Sequence, residues 1–247
     1  MSTSEAVQGE FPNVGHRAGR PPEAAVPGGF GRLLGERWSC RAYLPDQVPE
    51  DVMAEMFAIA QRTASWCNTQ PWRVWLTKGE ATRRFAAGLS AHARTHDQVS
   101  DFEMPAEYHG VYKERRRGAG YALYASLGIA REDWEAREEQ RLKNFDFFGA
   151  PHVAVVTTDR DQGVYGAVDC GGYVANLINA ASSLGVATIP QAAIAMHSDH
   201  VREYLRIPSD RLVVCAVSFG YADTSHPVNR FRTTRADVSD TVVVCGS

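Results

Sequence analysis

Cysteine is scarce in this chain of 247 residues, and the few cysteines are scattered. They stand at positions 40, 67, 170, 215 and 245, and no two form a C-x-x-C pair. An odd, dispersed set argues against a disulfide framework or a structural zinc site. The eight histidines are dispersed as well, so we expect no metal centre. Reduced thiols indicate a cytoplasmic protein.

Long hydrophobic runs and the common nucleotide-binding motifs are also missing. No stretch approaches the roughly 18 apolar residues of a membrane-spanning helix, and no basic-then-apolar signal pattern opens the chain. No G-x-G-x-x-G run follows a strand and no Walker A run occurs, so neither a Rossmann nor a P-loop site is indicated. The net charge of −3 gives no reason to expect nucleic acid or a membrane as partner.

Residues 65–72 combine polar and aromatic groups in one segment. The run Ser-Trp-Cys-Asn-Thr-Gln-Pro-Trp carries a hydroxyl, two amides and two indoles. Pro71 lacks a backbone N–H and disfavours the helical region for Gln70, so the segment is predicted as a loop that continues extended. Such a loop suits a planar polar ligand. The alternative is a strand cap with a buried tryptophan pair.

A basic motif precedes this loop. Residues 37–43 read Arg-Trp-Ser-Cys-Arg-Ala-Tyr, followed by Pro45 and by Val48-Pro49 at the start of a predicted helix. Together with Ser-x-x-Asn-x-Gln-Pro-Trp, this motif resembles the signature of the nitroreductase family, flavin enzymes that bind FMN. The resemblance continues through residues 144–151, 185–193 and 220–235. One departure is Ala64, where the family usually has proline.

The resemblance implies an α+β fold, in which a mixed, mainly antiparallel sheet is flanked by helices. It also implies an intertwined homodimer with FMN at the subunit interface. Residues 1–29, rich in Gly, Pro, Glu and Ser, predict a disordered tail. Residues 30–247 are then a single FMN-binding domain, with a helical insertion at about 108–148.

Hydrophobic periodicity predicts the elements around the loop. A helix opens at Pro49 and runs to about residue 64, and a strand follows over 72–77. The apolar run 152–158 predicts a central strand, and residues 165–184 predict a long helix that ends at Gly185 and whose small residues suit a dimer contact. In the insertion we expect helices over 108–127 and 132–148. Residues 241–245 predict a last short strand.

The resemblance also assigns cofactor-binding residues. Reduced flavin and the FMN phosphate are anionic, so a site needs fixed cations and backbone donors. Arg37 and Arg235 would hold the phosphate, with Arg232 as the alternative to Arg235. Ser39 would meet the phosphate or the ring edge. The full predicted set is Arg37, Trp38, Ser39, Arg41, Ser65, Trp66, Asn68, Gln70, Arg116, Pro190, Gln191, Ala192, Arg232 and Arg235.

The roles within this set differ. Residues 65, 66 and 68 would reach the FMN of the partner subunit, with Gln70 bracing the loop. Arg41 would meet the pyrimidine side of the ring, and the backbone amide of Ala192 would point at flavin N5. Arg116 would also meet the pyrimidine, although its charge run 113–117 also suits a solvated helix face. Cys67 has no histidine nearby in sequence to activate it, so it is interpreted as a packing residue.

The implied function is reduction of nitroaromatic or other planar acceptors by a ping-pong mechanism. NAD(P)H is the reductant, with the choice between NADPH and NADH left open. The hard chemistry belongs to the cofactor, so no side chain is expected to be a dedicated acid or base. Two alternatives stay open: a flavin-binding storage or sensing protein with slow turnover, and a flavin-consuming or dehalogenating enzyme of the same fold.

Overall fold

The computed structural model describes residues 8–9 and 29–245. Its helices are α1 (Phe30–Glu36), α2 (Glu50–Ala60), α3 (Glu80–Thr95), α4 (Gly110–Ser126), α5 (Trp134–Leu142), α6 (Gly163–Ser183) and α7 (Ser198–Leu205). Its strands are β1 (Gln8–Gly9), β2 (Arg73–Lys78), β3 (His152–Asp159), β4 (Ala187–Gln191), β5 (Arg211–Gly220) and β6 (Val244–Cys245). The tail predicted over residues 1–29 lies outside the described residues, apart from positions 8, 9 and 29.

The chain divides into two compact units. Residues 32–231 form the larger one, and the described residues 8–9, 29–31 and 232–245 belong to the smaller. In the smaller unit, β1 and β6 pair antiparallel, with Gln8 opposite Cys245 and Gly9 opposite Val244. The predicted last strand is therefore confirmed only at its end, because residues 238–240 form a 3-10 turn and residues 241–243 continue without strand pairing.

The sheet of the larger unit has the strand order β2-β3-β5-β4, and each neighbouring pair is antiparallel. Isolated parallel bridges, such as the one between Ser39 and Thr188, make it mixed. The predicted central strand is confirmed: residues 152–158 of β3 are all buried. Both faces of this strand are covered, so side chains on both faces are apolar. Its sequence therefore does not alternate between apolar and polar residues.

Successive side chains of β3 point to opposite faces and enter two separate cores. Ala154 and Val156 pack with α2 and α6 on one face, around Met56, Leu177 and Phe219. On the other face, Val153 and Val155 pack with α3, α5 and α7, in a cluster that includes Phe85, Leu89, Phe147, Ile194 and Val201. The α+β class is therefore confirmed, and the sheet supplies the rigid frame for the surrounding loops.

Two predicted helices end earlier than expected. The first, α2, stops at Ala60 because the Thr63 hydroxyl donates to the carbonyl of Ala60 at 2.6 Å and turns the chain. The second, α5, stops at Leu142 rather than 148. Beyond the end of this helix, Phe147 and Phe148 take positive φ in a tight turn that buries both rings. The free energy gained by burying two aromatic side chains outweighs the helical pattern that predicted a longer helix.

The long helix α6 is confirmed with nearly the predicted bounds, and Gly185 ends it with φ +76°. Its first half presents an exposed stripe made of Val164, Val168 and the small residues 171, 172 and 175. In the described part of the chain, no helix is long and apolar enough to cross a membrane. Residues 8–9 and 29–245 likewise contain no group of His, Cys, Asp or Glu that could hold a metal ion.

Candidate functional site

The basic motif of residues 37–43 lies along strand β4. Ser39 forms a parallel bridge with Thr188, and the backbone N–H of Cys40 donates to the Thr188 carbonyl at 2.9 Å. Arg37 and Trp38 line a small cleft of about 50 Å³ with Ser182, near the end of α6. Backbone pairing with β4 thus fixes the position of the motif.

Arg41 is held in place by contacts to its backbone and to its side chain. Its N–H donates to Asn229 Oδ1 at 2.9 Å, and its Nη1 donates to the Ser39 carbonyl at 3.1 Å. The guanidinium lies 5.6 Å from the centre of the Phe231 ring. Burial lowers the pKa of Arg41, which shows that the charged form is poorly hydrated. A poorly hydrated cation gains from an anionic ligand.

Two titratable neighbours of Arg41 stay protonated. The Tyr43 hydroxyl donates to the Ser218 carbonyl at 3.1 Å, and burial raises the pKa of Tyr43 well above its ordinary value. The thiol of Cys40 points at the Ala42 carbonyl, and burial raises its pKa too. Neither group is therefore an acid or a base at neutral pH, and both act as structural donors.

The end of β4 carries the other predicted loop. Pro190 and Ala192 are exposed, whereas Gln191 is buried. Gln191 Nε2 donates to the Asn144 carbonyl at 2.9 Å, and Gln191 Oε1 accepts from the Ser218 hydroxyl at 2.5 Å. Ala192 begins a 3-10 turn, and the first amides of such a turn have no acceptor inside it. Gln191 therefore positions the turn, and the Ala192 N–H begins it without an acceptor inside the turn.

The loop of residues 65–72 has a strained backbone. Cys67, Asn68 and Gln70 have φ of 50°, 59° and 47°, a region that costs a non-glycine residue on the order of 1–3 kcal/mol. Gln70 thus leaves the right-handed helical region as predicted, but enters the left-handed region rather than an extended one. Two hydrogen bonds stabilise this backbone conformation. The Ser65 hydroxyl accepts from Gln70 N–H at 2.9 Å, and Gln70 Nε2 donates to Asn68 Oδ1 at 3.0 Å.

Two residues that the sequence did not single out hold this loop. Asp169, on α6, accepts the Trp66 N–H at 3.1 and 3.3 Å. Gln61 accepts from Trp72 Nε1 at 3.0 Å and donates to Gln70 Oε1 at 3.1 Å. The Trp66 ring is 62% exposed and contacts Tyr165, with 4.8 Å between ring centres. An indole held this openly is available to a further partner.

The two predicted halves of the site lie near opposite ends of α6. The loop contacts Asp169, and the Arg37 cleft contacts Ser182. Thirteen residues of helix separate these positions, which is about 20 Å at 1.5 Å per residue. Within one subunit the structure brings residues 37, 38, 39 and 41 together with β4, and residues 65, 66, 68 and 70 together with α6. It does not bring the two sets together.

The remaining predicted residues lie elsewhere. Arg116 is on α4, with its guanidinium 5.1 Å from the centre of the Tyr108 ring. Arg232 and Arg235 belong to the smaller unit, where Arg235 Nη1 donates to the Thr233 hydroxyl at 2.8 Å and to the Thr234 carbonyl at 2.9 Å. The phosphate role of either arginine stays a prediction.

The donor set along β4 fits a flavin mononucleotide. Arg37 and Arg41 supply guanidinium groups for a phosphate or an anionic ring edge, and Ser39 supplies a hydroxyl. The Ala192 N–H, which has no acceptor inside its own turn, adds a backbone donor at the end of β4. These groups favour an electron-rich, negatively charged planar ligand. One carboxylate, Glu36, also lines the Arg37 cleft, and it is paired with Arg32 at 2.7 Å.

Comparison with known proteins gives one consistent result. A model of the Nitroreductase family matches residues 34–221. Nitroreductase NfnB of Mycolicibacterium smegmatis is 37% identical over 211 residues, which cover 85% of this chain and 90% of that protein. A 4-nitrobenzoate reductase of Nocardioides sp. is 33% identical, covering 85% and 87%. The crystal structure of FMN-dependent NfnB from Mycobacterium smegmatis in complex with NADPH superposes with a TM-score of 0.82 at 36% identity, covering 86% of this chain and 96% of that one.

Proposed function

The chain belongs to the nitroreductase family, and we propose on that premise that it is an FMN-dependent oxidoreductase. It takes reducing equivalents from NAD(P)H and delivers them to nitroaromatic or similar planar acceptors. The observation that carries this proposal is the cationic and amide donor set along β4, which matches an anionic flavin. The names of the two relatives at 37% and 33% identity support the acceptor class.

The residues along β4 would hold the cofactor. Arg37 and Ser39 would bind the phosphate end, and a phosphate role for Arg232 or Arg235 stays a prediction from the resemblance. Arg41 would meet the pyrimidine side of the ring, where its fixed charge would stabilise negative charge. FMN would supply the hydride chemistry of a ping-pong reaction between the nicotinamide and the acceptor. The Ala192 amide would donate towards ring nitrogen N5, and Gln191 holds its turn through Asn144 and Ser218.

The site is completed by a second copy of the chain. The loop contacts α6 at Asp169 and the Arg37 cleft contacts it at Ser182, about 20 Å further along the helix, so within one subunit the two halves lie apart. A two-fold dimer pairs the same surface of each copy, so two α6 helices would run in opposite directions across the axis. The loop of one copy then approaches the Arg37 cleft of the other. The exposed stripe of Val164, Val168 and small residues on α6 supports this pairing.

We treat residues 30–247 as one FMN-binding domain with a helical insertion at about 108–148, which contains α4 and α5. The family match from residue 34 to 221 runs across this insertion and supports including it in the domain. Residues 232–245 group with the smaller unit, so including them in the domain rests on the resemblance. All five cysteines are free, which supports a reducing compartment such as the cytoplasm.

Cofactor identity is the direct test of this proposal. Flavin released by acid from the purified protein should run as FMN, at one per subunit. Arg84→Ala should retain the same FMN content, because Arg84 is an exposed arginine on α3 whose ion pair in the described residues is with Glu80 at 3.6 Å. A colourless protein that cannot be reconstituted with FMN would contradict the proposal.

A further inference from the structure

A cavity of about 820 Å³ lies between α4, the loop before it and the start of α5. It is lined by five cations, namely Lys113, Arg116, Arg117, Arg131 and Arg137. None of the five forms an ion pair with a carboxylate in the described part of the chain. Nearby acids are engaged elsewhere: Glu138 pairs with Arg141, and Glu139 pairs with Arg94. One carboxylate, Glu107, also lines the cavity and lies 3.7 Å from His109, so the five cations leave the lining with a net positive charge.

Arg137 has the most constrained side chain of this group. Its Nη1 donates to the Arg131 carbonyl at 2.9 Å, and its guanidinium lies 4.4 Å from the centre of the Trp134 ring and 4.9 Å from that of Tyr124. Its Nε is buried and has no hydrogen-bond partner. A buried donor without an acceptor is unfavourable, so a ligand oxygen reaching this nitrogen gains more than it would at a solvated arginine.

Aromatic rings are interleaved with the cations. Arg116 lies 5.1 Å from the centre of the Tyr108 ring, and Arg131 lies 5.1 Å from that of Tyr121. The Trp134 ring is 72% exposed. A hydrogen bond from Arg117 and then the neighbouring guanidinium charges lower the pKa of Tyr121, which reflects a positive potential in the cavity. Rings beside guanidinium groups suit a ligand with both a planar base and phosphates.

The cavity also lies next to the proposed flavin site. Helix α4 packs against the turn Pro227–Arg230. In that turn, Asn229 Oδ1 accepts the backbone N–H of Arg41. A ligand that enters the flavin site could therefore extend into this cavity.

We propose that this cavity binds the phosphorylated adenosine end of NADPH and makes the enzyme select NADPH over NADH. The inference rests on the proposed function, because it places the distal half of the reductant used there. A 2′-phosphate adds nearly two negative charges, which NADH lacks, and the guanidinium forks of Arg131 and Arg137 match phosphate oxygens. A nitrobenzoate carries one carboxylate and one ring, so it would engage only a fraction of five cations and 820 Å³.

The test uses adenosine 2′,5′-bisphosphate as a probe, because its binding needs no turnover. Calorimetry on the FMN-loaded protein should show binding that weakens with added salt, and 5′-AMP should bind at least about tenfold more weakly. Arg131→Gln and Arg137→Gln should each weaken the bisphosphate about tenfold, and they should raise the KM for NADPH relative to the KM for NADH. Arg131 contacts only the Tyr121 ring through its side chain, so its variant carries little risk to folding. Arg84→Gln, on α3, is the matched control and should leave bisphosphate binding at the wild-type level.

The outcomes separate this inference from the proposed function. Wild-type bisphosphate affinity in both variants, in a protein that still reduces nitroaromatics with NADPH, overturns the inference alone. Tight binding of 4-nitrobenzoate with no binding of the bisphosphate also overturns it, and would indicate that the cavity binds an anionic acceptor. Bisphosphate binding that the two variants abolish supports the cavity assignment. If NADPH then fails to reduce the protein, only the proposed function is contradicted.

Discussion

Acid should destabilise this protein through His152, a buried histidine at the start of β3. Its Nε2 accepts the backbone N–H of Val48 at 3.0 Å, so the proton of the neutral ring resides on Nδ1. The ring is 1% exposed and stacks on Phe219, with 5.0 Å between ring centres. Burial, reinforced by the charge of Lys78 and opposed by Glu50, lowers the pKa of His152 from 6.5 to about 4.

The direction of the change in stability with pH follows from the pKa values at which the folded and unfolded states bind the proton. The unfolded chain takes up the proton at its ordinary pKa of about 6.5, whereas the folded protein does so only near 4. The stability that His152 contributes is therefore fully present above 6.5, and it is lost as pH falls towards 4. At 1.36 kcal/mol per pH unit, the loss is roughly 3 kcal/mol. His197 and His200 have lowered pKa values as well, and they should add to the same trend.

The assay is urea unfolding of the FMN-loaded protein, followed by circular dichroism at several values between pH 7.5 and 4.5. His152→Gln keeps an acceptor for Val48 N–H but does not titrate, so its unfolding free energy should depend less steeply on pH than that of wild type. His109→Gln is the matched control, because that histidine is exposed. A His152→Gln protein with the full wild-type slope would refute the reasoning.

Three further predictions concern the site. Arg37→Ala should weaken FMN retention on dialysis by about 1.5–3 kcal/mol, the value of a charge-assisted phosphate contact, and unchanged affinity would remove Arg37 from the site. Asp169→Ala removes the acceptor of the Trp66 N–H and should speed hydrogen exchange in residues 65–70. Exchange at the wild-type rate would show that hydrogen bonds within the loop are enough to keep its conformation. Val168→Glu puts a charge into the proposed dimer stripe and should give FMN-poor monomers by light scattering. A variant that remains a dimer and retains FMN would show that the dimer interface does not include this stripe of α6.

Elements with strong local signals could be predicted from the sequence. The apolar run of β3 predicts a central strand because both faces are covered, and Gly185 predicts the end of α6 because it supplies the positive φ that the turn requires. The residues of the basic motif could also be chosen in advance, through its resemblance to the signature of the nitroreductase family. Their placement along β4 depends on a bridge to Thr188 and follows only from the fold.

Other features depend on contacts that no local pattern contains. Asp169 holds Trp66 across 103 residues of sequence, and a single carboxylate in a helix gives no sign of that role. The turn at Phe147 and Phe148 opposes local preference, because bulky residues rarely adopt positive φ, and only burial of the rings explains it. The cavity of α4 and α5 combines cations from both helices, so the charge run at 113–117 reveals only part of it.

The central claim is that the protein passes reducing equivalents from a nicotinamide nucleotide to a nitroaromatic through bound FMN. An anaerobic stopped-flow experiment in two steps tests it most directly. Addition of one equivalent of NADPH should bleach the flavin absorbance at least as fast as the enzyme turns over. Subsequent addition of 4-nitrobenzoate, without further nucleotide, should restore the absorbance. Flavin that stays oxidised with NADPH, or stays reduced when the nitroaromatic is added, would contradict the account.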